Sequence, residues 1–166
     1  GKGLRANFSL QRLYLSGNKI EDEGAINLVE GLKLNTSLQQ LDLSHNKIGV
    51  EGGRTLSEAL KINTTLQNLN LTYNKLRDEG ARARSEALKV NTTLQQLDLG
   101  GNKVGDEGAR ARSETDTLLR RNQKKASSPK AAFSTSSEEA FSALAFLRGT
   151  SEGISFTLSS FSPPSR

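Results

Sequence analysis

The chain repeats itself every 28 residues from its start to about residue 114. Leu10, Leu38, Leu66 and Leu94 stand 28 apart, as do Asn18, Asn46, Asn74 and Asn102, and Gly24, Gly52, Gly80 and Gly108. A fixed period of this size is produced by a stacked array, in which each unit buries its apolar face only against its neighbours. A single closed core over that region is therefore ruled out. Arrays of this kind mostly present surface to a partner and seldom perform chemistry.

One unit, residues 38–65, shows how the period folds. Leu41 and Leu43 alternate with Gln40, Asp42 and Ser44, the period-two pattern of a short, half-buried strand. Leu56, Ala59 and Leu60 then share one helical face, with Arg54, Ser57, Glu58 and Lys61 on the outside. Asp22-Glu23, Glu51, Asp78-Glu79 and Asp106-Glu107 fall where each helix starts, where a carboxylate can cap free N–H groups. That role also explains the paired carboxylates without acid–base chemistry. Asn18, Asn46, Asn74 and Asn102 follow each strand among apolar positions. They are expected to point inward and bond the backbone of their own and the neighbouring turn, since a buried amide must be satisfied. Asn35, Asn63 and Asn91 form a second column of turn residues, which also read as glycosylation sequons.

Composition narrows the chemistry further. The 166 residues contain no Cys and a single His, His45. Disulfides, thiolate metal sites and a Cys nucleophile are excluded, and a His-dependent triad has little material. No Gly-rich phosphate loop is present, because the glycines follow the repeat. No enzyme activity, cofactor, metal or small-molecule substrate is expected. The net charge of +5 is spread among mixed-sign columns and a basic stretch past the repeats. Aromatic residues do not interleave with it, so nucleic acid is not an expected partner. No apolar run reaches about 18 residues, so no membrane span is expected. The absence of Cys and of a secretory signal suits a cytoplasmic protein.

The pattern Leu10-x-x-Leu13-x-Leu15-x-x-Asn18-x-Ile20, repeated from Leu38, Leu66 and Leu94, resembles the leucine-rich repeat. Its length, with a full helix, is similar to the ribonuclease-inhibitor-like class found in NOD-like receptors. The resemblance implies an α/β solenoid, a partial horseshoe with parallel strands on the concave face and helices on the convex face. It also implies protein binding on the concave side and its rims. Carried over by position, the contact residues are Arg12, Tyr14, Gln40, Asp42, His45, Asn68, Asn70, Tyr73, Gln96 and Asp98, with Ser16, Ser44, Thr72 and Gly100 beside them. The function expected is a protein–protein interaction module, part of an intracellular NOD-like-receptor-type or scaffold protein. Leucine-rich GTPase-activating proteins for Ran share the repeat class and supply an alternative, and a truncated product without independent function is another.

Lys19, Lys47, Lys75 and Lys103 each follow the ladder Asn. They should line the rim beyond the carboxyl ends of the parallel strands, an edge that ligands favour in open parallel sheets. Lys47 and Lys75, beside His45 and Tyr73, are the rim residues placed to attract an acidic segment. Carboxylates at the helix starts follow closely and partly neutralise this column.

Both ends depart from the repeat. Gly3 to Asn7 align with Gly31 to Asn35, so the chain opens within a partial repeat, as a segment of a longer array would. Arg84 stands in the Leu56 column, and Arg112 and Asp116 replace the apolar residues that Leu56 and Leu60 supply in the second unit. The fourth helix is accordingly expected to fail, leaving repeats over 1–114 and a Ser-rich, mostly irregular tail over 115–166. Within that tail, Ser136-x-x-Glu139 forms a capping box that predicts a short helix over 137–148. It has three open readings: a cap on the fourth repeat, irregular chain, or a partner contact. Ile154, Phe156 and Leu158 alternate as a short strand would. Arg120-Arg121-x-x-Lys124-Lys125 reads either as a nuclear localisation signal or as solvated basic surface.

Overall fold

The strand signal in each repeat is short, and the strands are correspondingly brief. The computed structural model describes residues 2–128. In chain order these form α1 (Lys2–Ala6), β1 (Arg12–Tyr14), α2 (Asp22–Leu32), β2 (Gln40–Asp42), α3 (Val50–Ile62), β3 (Asn68–Asn70), α4 (Arg77–Val90), β4 (Gln96–Asp98) and α5 (Asp106–Ala126). The strands make one parallel sheet in the order β1-β2-β3-β4. Register follows the repeat without slippage: Leu13, Leu41, Leu69 and Leu97 stand opposite one another, as do Tyr14, Asp42, Asn70 and Asp98. The α/β solenoid expected from the sequence is therefore the fold.

The core is one continuous stack of leucines between sheet and helices. Leu38, Leu43, Leu56, Leu60, Leu71 and Leu94 are fully enclosed. The Gly column exists because the helices leave no space for a Cβ. At Gly24 it would stand 2.8 Å from Ile20 Cγ2, and at Gly80 2.8 Å from Leu76 Cβ. Ser57, expected outside, is fully buried and satisfies itself by donating to the Gly53 carbonyl.

Both Asn columns are ladders. Asn46 donates to the carbonyls of Leu15, Leu43 and Ser44, while its Oδ1 accepts from the N–H groups of Asn18 and Ile20. Asn74 and Asn102 repeat the arrangement one and two units on. Asn18 is exposed, because no described unit precedes it to supply the outer carbonyl. Asn35, Asn63 and Asn91 do more than end a turn. Each is buried and spends its amide hydrogens on two carbonyls of the preceding unit. The sequon reading fails on this ground, since an amide so enclosed offers no nitrogen to a glycan.

The carboxylates at the helix starts also act differently from expectation. None of α2, α3, α4 and α5 is capped by the side chain of its own N-cap residue. Instead Asp22 reaches across to the next unit and accepts from the N–H groups of Gly49, at 2.6 Å, and Gly52, at 3.0 Å. Asp78 does the same for Gly105, at 2.7 Å. Parallel stacking sets the helix N-termini side by side, so a neighbour's carboxylate reaches the free donors. Added Cβ atoms at Gly52 and Gly108 would stand 2.7 and 2.5 Å from those oxygens.

The fourth helix does not fail near residue 114. α5 continues to Ala126, and the compact unit extends to Ser127. Its inward stripe is Gly108, Ala111, Thr115, Leu119 and Asn122, at helical spacing, while Arg112 and Asp116 are exposed. Those charges sit on a face with no described neighbour, where water solvates them. The continuing helix also closes the second Asn ladder. Arg121 Nη2 donates to the carbonyls of Leu88 and Asn91, the pair that residue 119 would engage if it were Asn. Asn122 takes the carbonyls of Asn91 and Leu94, and Gln123 Nε2 that of Gln95. Arg121, read from sequence as part of a basic run, is thus a structural donor. The helix expected over 137–148 and the alternation at 154–158 lie outside the described residues.

Candidate functional site

Period-two alternation turns Arg12, Tyr14, Gln40, Asp42, Asn68, Asn70, Gln96 and Asp98 away from the helices, onto the open face of the sheet. Parallel register places them in two rows. Tyr14, Gln40, Asp42, Asn68, Asn70, Gln96 and Asp98 line one shallow groove across all four strands. Tyr14 is the large apolar element of the groove, 65% exposed. Asp42 and Asn70 each accept a hydrogen bond from the N–H two residues on, at Ser44 and Thr72, which orients their carboxylate and amide. Gln96 donates to Asp98 across 3.0 Å. The face is polar, mildly acidic and open. Ser44 does not contribute, being buried and bonded to Ser16.

The rim at the carboxyl ends of the strands carries the other predicted residues. His45 and Tyr73 are exposed and stacked, with ring centroids 4.5 Å apart. Lys47 and Lys75 are exposed beside them. Lys47 pairs with Glu21 at 3.3 Å. The backbone N–H groups of both lysines donate to Ile20 and Ile48 of the preceding units, so the column is held at one-repeat spacing.

Sequence reasoning missed one feature. Leu34, Ile62 and Val90 form an exposed apolar column at the helix ends, 52%, 59% and 60% accessible. They stand 28 apart, which was the available signal. Arg84 is fully enclosed in the core column that the sequence assigned to it, a column that alone did not say whether it would snorkel out. It does not: its Nε, Nη1 and Nη2 have no hydrogen-bond partner, and burial lowers its guanidinium to about 9. Among the described residues no His, Cys, Asp or Glu cluster suits a metal ion, and no helix is long and apolar enough to cross a membrane.

Family comparison agrees with this geometry. Residues 9–59 match the family described as leucine-rich repeats in two copies. Residues 63–83 and 90–111 match a leucine-rich repeat. No curated protein sequence is significantly similar to the chain. Among solved structures, the leiomodin-1 actin-binding site 2 superposes with a TM-score of 0.70 at 25% identity, covering 84% of this chain and 77% of that one. The tropomodulin C-terminal domain of Caenorhabditis elegans superposes at 0.51 with 16% identity, covering 75% and 92%, a likeness of fold alone. Repeat period, register, Asn ladders and family matches converge: the chain is a leucine-rich repeat protein.

Proposed function

We propose that this chain is a protein-binding module whose concave strand face is the contact surface. In this reading it serves a cytoplasmic receptor- or scaffold-type protein of the NOD-like-receptor kind and has no catalytic role of its own. The observation that carries the reading is the double row of outward side chains held in register across four strands, with Tyr14 as an exposed anchor. Fold alone does not name a partner.

A photo-crosslinking amino acid at Asn68, in the centre of the groove, tests the surface. It should trap a protein partner in cell extract, while the same group at Lys61 on the helical side should not. Equal yields from the two positions would reject the concave face. A second reading takes actin as the partner, supported by the likeness to the leiomodin-1 actin-binding site. Direct titration of actin with the chain, and with Asp42→Lys/Asp98→Lys, tests it. Saturable binding lost in the variant supports it, and no binding rejects it. A Ran-regulator role requires faster GTP hydrolysis by Ran in the presence of the chain, and an unchanged rate removes it.

A further inference from the structure

The turn after each strand sets Gly17, His45, Tyr73 and Gly101 in one column. All four adopt left-handed backbone, with φ of 73°, 52°, 54° and 71°. Glycine suits this region, and residues with a Cβ are disfavoured there. The conformation is imposed by the sheet edge: the N–H groups of Gly17, His45 and Tyr73 donate to Ser44, Thr72 and Gly100 of the following unit. Two of four equivalent turns therefore carry a large aromatic ring where glycine fits best. Strain of this kind on a surface points to a use for the side chain.

The rings are exposed and lie on one another. His45 lies on Tyr73 with 19° between the planes. Tyr73 lies over Gly101, where an added Cβ would come within 2.6 Å of its Cδ1. The stack belongs to none of the buried core.

Lys19, Lys47, Lys75 and Lys103 run along its flank, all exposed. The carboxylates that follow them are largely committed elsewhere. Asp22 and Asp78 are bound to backbone donors of the next helix. Glu51 is paired with Arg54 and Glu107 with Arg82, whereas Glu21 pairs with Lys47 of the column itself. Glu23, Glu79 and Asp106, in the first turns of helices, face positive helix ends. Among the described residues, Lys19, Lys75 and Lys103 have no ion-pair partner.

We propose that this rim docks an acidic, extended segment of a protein partner. Its carboxylates meet the lysine column, and one of its apolar side chains lies on the His45–Tyr73 stack. The inference rests on the protein-binding reading above and adds the chemistry of what the rim accepts. Asp42 and Asp98 on the adjoining strand face repel a polyanion that spreads off the rim, which favours a narrow peptide over nucleic acid.

A fluorescein-labelled poly-glutamate peptide with one central tryptophan is the probe. It should bind the full chain with salt-dependent affinity. Lys47→Glu/Lys75→Glu should weaken it by about tenfold or more. His45→Gly/Tyr73→Gly should weaken it similarly while Tm holds or rises, because glycine relieves the backbone. Unchanged affinity in either variant overturns the proposal. So does a fall in Tm of the glycine variant, which would make the stack structural packing, or displacement of the peptide by oligothymidylate at lower concentration. A chain that ignores the peptide yet still crosslinks through Asn68 refutes the rim alone, and the reverse outcome refutes the concave face alone.

Discussion

Arg84→Leu is expected to stabilise this protein substantially. Arg84 occupies the column of Leu28 and Leu56, is 0% exposed, and leaves all three guanidinium nitrogens without a partner. Burial lowers its guanidinium to about 9. At about 1.4 kcal/mol for each pH unit, holding the cation inside at neutral pH costs about 5 kcal/mol relative to the unfolded chain. Leu is smaller and leaves a void worth about 1 kcal/mol, and local relaxation already recovers some of the penalty, so a net gain of about 3 kcal/mol is expected. For a unit of this size that raises Tm by about 10 °C. The pH dependence is specific. Below about pH 9 both folded and unfolded wild-type chains carry the proton, and the penalty is fully present. Above it the folded state releases its proton first, the unfolded state binds more protons, and wild-type stability rises relative to the variant. Paired thermal melts at neutral pH and near pH 10 should therefore show a gap that narrows at the higher pH. Arg112→Leu, in the same column but exposed, should change stability by less than about 0.5 kcal/mol. An unchanged or lower Tm for Arg84→Leu at neutral pH, or a gap equal at both pH values, would refute the reasoning.

Asn74→Ala removes the acceptor for the Ile48 N–H and the donors to the Leu43 and Leu71 carbonyls. It should cost about 2–4 kcal/mol in urea unfolding, and a loss under about 0.5 kcal/mol would mean that water takes over the ladder. Gly52→Ala pushes against Asp22, Ile48 and Ala25 and should lower stability by about 1–3 kcal/mol, whereas Gly3→Ala, with open space around it, should be neutral or slightly stabilising. Arg121→Ala frees the carbonyl of Leu88 and leaves that of Asn91 to Asn122 alone. Faster amide exchange confined to β4 and α5 is the expected outcome, and uniform exchange across the array would show that α5 does not close the stack.

How much was legible follows from where the information lies. The repeat made the inward leucines, the strand register and the outward rows readable, because each depends only on residue type at fixed spacing. Asp22 was placed at a helix start, but its partners Gly49 and Gly52 belong to the next unit. Arg112 and Asp116 looked destructive because sequence alone could not show which face of α5 meets α4. Leu34, Ile62 and Val90 passed unnoticed because their exposure is a property of the packed array.

The sequence by itself determined the architecture: a 28-residue unit with alternating leucines, a helical stripe and a ladder Asn admits one way of stacking, because only neighbours can bury its apolar face. Tertiary structure decided the contacts between units that the repeat does not announce. It chose which carboxylate caps which helix, enclosed Arg84 without a partner, carried α5 onward until Arg121 and Asn122 had closed the second Asn ladder, and bent His45 and Tyr73 into a conformation their side chains resist. Beyond the Asn ladder and the strand register, hydrogen bonds and burial between residues about 28 apart are set by the stack, and no local pattern encodes them.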